Sequence, residues 1–194
     1  MTGPRVGVLA LQGDVREHVD VLEHLGARVT RVRRPEDLAA VDGLVLPGGE
    51  STVIDKLSRT FGLREPIVAA IRDGMPVLGT CAGLIMMADR LADGIDGQQT
   101  FGGLDVTVRR NAFGSQRESF ETELIVPALG EPPVAATFIR APLVEEVGSA
   151  RALAFLPGGS IVAVEQDGLL GLSFHPEMNG EDRFHRRFLD RVRV

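Results

Sequence analysis

The chain holds one cysteine in 194 residues, Cys81, within Gly79-Thr80-Cys81-Ala82-Gly83. It falls between a strand-like apolar run, Pro76-Val77-Leu78-Gly79, and a run of helical character that starts at Leu84. A sharp strand-to-helix turn exposes the side chain at its apex, and the free N–H groups and positive dipole end of the helix favour an anionic sulfur. That is the setting of a nucleophile. Gly79 and Gly83 permit the tight bend and close helix packing, which a merely buried cysteine does not require. The inert alternative is a small buried hydrophobe. One cysteine forms no internal disulfide and no cysteine-rich zinc site.

A nucleophilic sulfur needs a base, and His175 in Phe174-His175-Pro176-Glu177 is the candidate. Pro176 biases His175 toward an extended conformation, so that His175 and Glu177, two apart, project to the same side and the carboxylate can orient the ring. The other histidines compete poorly. His18 and His24 sit in an amphipathic helical pattern, and His185 lies among arginines near the carboxyl end. A His-Pro-Glu tripeptide alone also fits a structural histidine. Together with the cysteine turn it predicts a triad: Cys81 as nucleophile, His175 as base, Glu177 as orienting acid.

The third element is Pro47-Gly48-Gly49-Glu50-Ser51 at the end of another strand. In an open α/β sheet, ligands bind beyond the carboxyl ends of the strands, which puts this loop and Cys81 in one crevice. Gly48 and Gly49, with the N–H of Ala82, are the predicted oxyanion donors. A plain tight turn or a phosphate-binding turn is the alternative, although no Gly-Lys-Ser/Thr follows to make a P-loop. The pattern predicts no metal ligands.

These residues need a scaffold, and the apolar runs outline one. Val6 to Leu11 reads as a strand and Asp14 as a cap for a helix carrying Val15, Val19, Leu22 and Leu25, stopped by Gly26. Val29 to Val32 and Gly43 to Leu46 are further strands. Ser51 or Thr52 caps a helix with Ile54, Leu57 and Phe61, Pro66 sits in the first turn of the next, and Leu84 to Leu91 reads as the helix after Cys81. Short strands follow at Val106 to Val108, Glu123 to Val126, Val134 to Ile139, Ala152 to Phe155, Ile161 to Val164 and Leu169 to Phe174. A last helix places Phe184, Phe188 and Val192 four apart. The expected fold is α/β: a single three-layer domain over residues 1–194 around a mainly parallel, mixed sheet.

With 44% hydrophobic and 25% charged residues the composition is that of a globular chain, and its apolar runs are far shorter than the roughly 20 residues of a membrane span. The amino terminus lacks a secretory h-region, which predicts a cytoplasmic protein. A net charge of -6 argues against nucleic acid as a partner, since phosphate binding relies on excess Lys and Arg. Arg183, Arg186, Arg187, Arg191 and Arg193 read as the solvated side of the last helix, with a docking face as the alternative.

In type and order, Pro47-Gly48-Gly49-Glu50-Ser51-Thr52, Gly79-Thr80-Cys81-Ala82-Gly83 and His175-Pro176-Glu177 resemble the class I glutamine amidotransferases. Leu11-Gln12-Gly13, Arg16-Glu17-His18, Arg110-Asn111-Ala112-Phe113-Gly114 and Phe138-Ile139-Arg140-Ala141-Pro142 narrow the resemblance to the glutaminase subunits of pyridoxal 5′-phosphate synthase complexes. It covers nearly the whole chain. Phe101-Gly102-Gly103 and Ser115 depart from the family pattern without touching the triad.

The resemblance implies hydrolysis of L-glutamine to glutamate and ammonia through a γ-glutamyl thioester. The ammonia would pass to a synthase subunit in a hetero-oligomer, with no cofactor on this chain because pyridoxal phosphate is the pathway product. It assigns glutamine contacts to Gly49, Glu50, Ser51, Arg110, Ile139 and Arg140. Competing readings are the glutaminase of another amidotransferase complex, a cysteine hydrolase acting on a peptide or γ-glutamyl substrate, and a catalytically silent regulatory subunit.

Overall fold

The computed structural model describes residues 3–112 and 119–192. Its first half alternates β1 (Arg5–Leu9), α1 (Val15–His24), β2 (Arg28–Val32), α2 (Pro35–Ala39), β3 (Gly43–Leu46), α3 (Ser51–Thr60), α4 (Arg64–Arg72), β4 (Val77–Thr80) and α5 (Ala82–Met87). Strands dominate the second half: β5 (Ala88–Leu91), β6 (Leu104–Arg109), β7 (Ser119–Leu124), β8 (Val134–Ile139), β9 (Leu143–Val147), β10 (Arg151–Phe155), β11 (Ile161–Gln166) and β12 (Leu169–Leu172). A 3₁₀ turn (Pro176–Met178) and α6 (Arg183–Val192) follow.

Ten strands form one sheet in the order β2-β1-β3-β4-β12-β11-β9-β6-β5, with β10 paired to β11, and β7 and β8 make a separate two-stranded sheet. From β2 to β12 the neighbours are parallel. The β12-β11, β11-β9 and β9-β6 pairs are antiparallel, which gives the mainly parallel, mixed sheet expected from the sequence.

Period-two alternation along the strands sends successive side chains to opposite faces. Val6, Val8, Val45 and Leu78 meet α1 through Val19 and Leu22 and α6 through Phe184, Phe188 and Leu189. Leu9, Leu44, Leu46 and Val77 meet α3 and α4 through Ile54, Ile67 and Ile71. Helices thus cover both faces and bury the central parallel strands β3, β4 and β12 fully, the three-layer arrangement that such strands demand. No helix among the described residues is long and apolar enough to cross a membrane.

Several local expectations are corrected. The helix expected over Leu84 to Leu91 ends at Met87, and the next four residues form β5, parallel to β6. All six α5 residues are buried, so the run carries no amphipathic signal to mark its end. Pairing with β6 takes over, helped by the Gly103 N–H donating to Asp89 (2.7 Å) and Arg90 donating to Thr107 (2.9 Å). Neither α2 nor β9 is expected from the sequence. The former starts with Pro35 in its first turn, and Asp37 accepts the backbone N–H groups of Arg33 and Arg34 (3.0 and 3.1 Å).

The arginines of α6 are not simply solvated. Glu165 on β11, 7% exposed, is gripped by Arg151 of β10 and by Arg187 and Arg191 of α6. Arg183 donates to the carbonyls of Pro132 (2.6 Å) and Pro133 (3.3 Å). Arg186, 58% exposed at its side chain, fits the solvated reading and pairs with Asp182; Arg193 lies outside the described residues. Burial raises the Glu165 carboxyl, but the hydrogen bonds from Arg151, Arg191 and Arg187 outweigh it and hold it at about 2. Its contribution is therefore complete above the ordinary carboxylate value of 4.5 and is lost as pH falls through about 2. Glu165→Gln is expected to cost about 2 kcal/mol, less than the loss of a wholly buried pair because the guanidinium groups keep some solvent. Urea unfolding at pH 7 checks this; an unchanged midpoint would contradict it.

Candidate active site

Cys81 sits at the apex between β4 and α5 with φ 48° and ψ -103°, left-handed backbone that a non-glycine residue holds only under constraint. The constraint is visible. The Cys81 N–H donates to the Leu172 carbonyl at the end of β12 (2.8 Å), and its own carbonyl accepts from Ile85 (3.2 Å). The turn also needs its glycines: a Cβ on Gly83 would lie 2.0 Å from the Leu46 carbonyl oxygen, and one on Gly79 would lie 2.6 Å from the Gly83 carbonyl carbon. Cys81 is 8% exposed and lines a cavity of about 280 Å³.

His175 reaches that cavity from the segment after β12, where its N–H donates to the Thr137 carbonyl of β8 (2.9 Å). Its ring Nδ1 lies 2.8 Å from Glu177 Oε1. The expected contact is present, but its route differs: Glu177 belongs to a 3₁₀ turn opened by Pro176 and not to a continuing strand. With Nδ1 committed to Glu177, Nε2 is left for the sulfur. Burial lowers the His175 value, but hydrogen bonds to Cys81 and Glu177 and their negative charges outweigh it and push it up to about 10. Glu177 is raised, by burial first, against the opposing pull of His175.

Every residue expected to contact substrate lines this one cavity: Gly49, Glu50, Ser51, Arg110, Ile139 and Arg140. Arg110 donates to Gln98 (2.9 Å) and to Glu50 (3.4 Å), and Gln98 donates in turn to Ser51 (3.0 Å). The α3 cap is Glu50, which accepts from the Thr52 N–H and hydroxyl, and not Ser51 or Thr52 as the sequence suggests. Of the expected oxyanion donors, Gly49 is in the cavity wall, whereas Gly48 and Ala82 lie buried directly beside it. Gly48 has no room for a side chain, since a Cβ there would lie 2.3 Å from His175 Cε1. Phe113, Gly114 and Ser115 lie outside the described residues.

The sequence reading misses part of the surroundings. Gln12, Asp14, Ile85 and Asn111 also line the cavity. Asp14 makes no side-chain cap to α1; its Oδ2 is instead 3.4 Å from His175 Nδ1. Gln12 Oε1 accepts the Glu50 N–H (2.7 Å). His18 and His185, which look like surface-helix residues, are both 0% exposed and joined by a 2.9 Å ring-nitrogen contact. Their only sequence signal is position: His18 falls between Val15, Val19 and Leu22 on the apolar stripe of α1, and His185 follows Phe184.

A crystal structure titled glutamine amidotransferase is 43% identical to this chain, with a TM-score of 0.90 over 97% of it and 99% of the other chain. The chain belongs to the SNO glutamine amidotransferase family, whose model matches residues 8–194. Similar relatives include the pyridoxal 5′-phosphate synthase subunit PdxT of Clavibacter sepedonicus, 67% identical over 98% of this chain and 91% of that one. The PdxT of Leifsonia xyli subsp. xyli is 65% identical over 97% and 96%.

The buried histidines set a stability window distinct from that of Glu165. Burial pushes His185 from 6.5 down to about 4, against the pull of Asp182 and Glu181. Burial likewise pushes His18 well down, helped by the charges of His185 and His175. Both rings are neutral in the fold, so the unfolded chain binds the extra protons and stability falls as pH drops from about 6.5 toward 4. Urea unfolding across that range, paired with direct proton-uptake measurement, is expected to show this loss; a flat profile would contradict the burial of the pair.

Proposed function

We propose that this chain is the glutaminase subunit of a pyridoxal 5′-phosphate synthase, releasing ammonia from L-glutamine for a synthase subunit in a hetero-oligomer. The observation that carries the chemistry is the His175 ring, held by Glu177 at 2.8 Å with Cys81 as its other partner. The PdxT relatives, matched over nearly the full chain, favour this synthase over other amidotransferase complexes. A reactive thiol that must stay reduced suits the cytoplasm.

The proposed reaction begins when Cys81 Sγ gives its proton to His175 Nε2 and attacks the side-chain amide carbon. The raised His175 value favours this proton on the ring while the sulfur beside it is anionic, a bias that lapses once the sulfur is acylated. Glu177, paired through Nδ1, stabilises the imidazolium that results. The amide oxygen becomes an oxyanion facing Gly49, with Gly48 and Ala82 as the neighbouring backbone donors. His175 then protonates the leaving nitrogen, ammonia departs, and the γ-glutamyl group remains as a thioester. Water, deprotonated by His175, attacks the thioester carbonyl; glutamate leaves and the thiol is restored.

Arg110 and Arg140 offer cationic hydrogen-bond donors for the substrate α-carboxylate, and Glu50 offers the opposite charge for its α-ammonium group. The cavity of about 280 Å³ is at the small end of ligand sites, roughly 300–1,000 Å³. That favours an amino acid over a peptide substrate.

With the synthase partner present, Cys81→Ala and His175→Asn are expected to abolish glutamate release. Glu177→Gln should reduce it by on the order of 10²–10⁴, the range for a disturbed general base. Coupled glutamate assay checks all three, and undiminished release by Cys81→Ala would reject the chemistry. Gly48→Ala should fold yet lose at least about tenfold in kcat, because its methyl group displaces the His175 ring by a distance that matters for proton transfer. Wild-type kcat in that variant would contradict the packing.

A further inference from the structure

His18 lies on α1, remote in sequence from both arms of the proposed triad, yet its ring meets both. Nε2 is 3.1 Å from the hydroxyl of Thr80, the residue before the nucleophile, and 3.5 Å from Glu177 Oε1. Nδ1 is 2.9 Å from His185 Nε2. The cluster is enclosed: His18, Thr80 and His185 are each 0% exposed, and Glu177 is 6% exposed.

Proton positions follow from the partners. Nε2 lies between the Thr80 hydroxyl, which can accept or donate, and the Glu177 oxygen that takes the His175 bond, so a hydrogen on Nε2 suits both neighbours. His18 then has its proton on Nε2 and a lone pair on Nδ1, and His185 must donate to that lone pair from its own Nε2. The choice agrees with the far end of the chain. His185 Nδ1 has no hydrogen-bond partner among the described residues, and a bare lone pair there is tolerated better than an orphaned N–H. The reversed direction would orphan that N–H and aim a lone pair at the carboxylate.

We propose that His18, set by His185, is a positioning residue of the triad: its Nε2–H, bonded to Thr80 and facing Glu177 at 3.5 Å, places the positive end of a neutral dipole against the Glu177 carboxylate and keeps it ionised and aimed at His175. This rests on the glutaminase chemistry proposed above. The titratable groups facing the cluster are His175 and Asp14 on the Glu177 side and Asp182 and Glu181 on the His185 side. Glu177 is raised by burial, so a neutral donor against it opposes protonation without adding another charge. Loss of that donor favours a protonated Glu177, which cannot balance an imidazolium at His175, and activity should then fail first at low pH.

The test is the pH dependence of glutamine hydrolysis by the full chain with its synthase partner. His18→Leu should lower kcat roughly tenfold or more, the order of losing a polar N–H directed at a charged group, while KM changes less than about twofold because no substrate contact is lost. Its acid limb should move to higher pH by about one unit. His18→Gln, which places an amide N–H near the same spot, should recover most of both. A folded His18→Leu with the wild-type acid limb and kcat within about threefold would overturn the proposal.

Should His18→Leu fail to fold, nitrogen NMR of the wild-type rings decides. Neutral Nε2–H tautomers are expected for both His18 and His185, and an Nδ1–H on His18 would overturn the proposal. The ring signals do not depend on turnover, so a wild-type complex that releases no glutamate would defeat the glutaminase chemistry and leave the hydrogen-bond direction to be judged separately.

Discussion

A carboxylate and an imidazole share a hydrogen bond inside the fold, and the site is arranged around keeping that pair intact. The Glu177 side chain is fully shielded and that of His175 nearly so. A lone charge in such a place is expelled or neutralised, and stripping one member from a buried pair typically costs about 3–5 kcal/mol. The pair survives because each group answers the other. Burial pulls His175 down, but the negative partners on either side reverse the sign and lift it to about 10. The same contact limits how far burial raises Glu177.

The sheet converts this local pair into a site. β4 and β12 are parallel neighbours, with Thr80 in register with Leu172, so the segments that follow them carry Cys81 and His175 out at the same end of the sheet. β3 lies on the other side of β4 and delivers the Gly48-Gly49 loop beside the ring. β8 adds Ile139, whose carbonyl lies 3.9 Å from the sulfur. Strained backbone at Cys81 is held by bonds from two neighbouring segments, and a φ of 48° there is of the kind that costs about 1–3 kcal/mol. The surrounding packing has to supply that energy before substrate arrives.

Much of this was legible in the residues. Gly79-Thr80-Cys81-Ala82-Gly83 announces an elbow because both glycines are sterically required, and the parallel half of the sheet follows from alternating apolar strands and capped helices. What escaped was whatever long-range packing decides. His18 and His185 are 167 positions apart, and nothing local distinguishes a histidine on an apolar helical stripe from one that snorkels to solvent. Asp14 reads as a cap by position, yet turns toward His175. Leu84 to Leu91 reads as one helix because a fully buried run has no polar face to mark its end, and β6 decides the matter from elsewhere. The α6 arginines look solvated until Glu165, on another strand, is found beneath them.

The central claim is that the sulfur of Cys81 carries the acyl group between two half-reactions. Acid-quenched samples, taken within the first turnover of the full chain with its synthase partner and glutamine, test it most directly when the adduct is located by peptide mass spectrometry. The account predicts a γ-glutamyl adduct on Cys81 that forms before glutamate appears and decays as glutamate accumulates. Glutamate released with no adduct at any time, or with the acyl group on another residue, would contradict it.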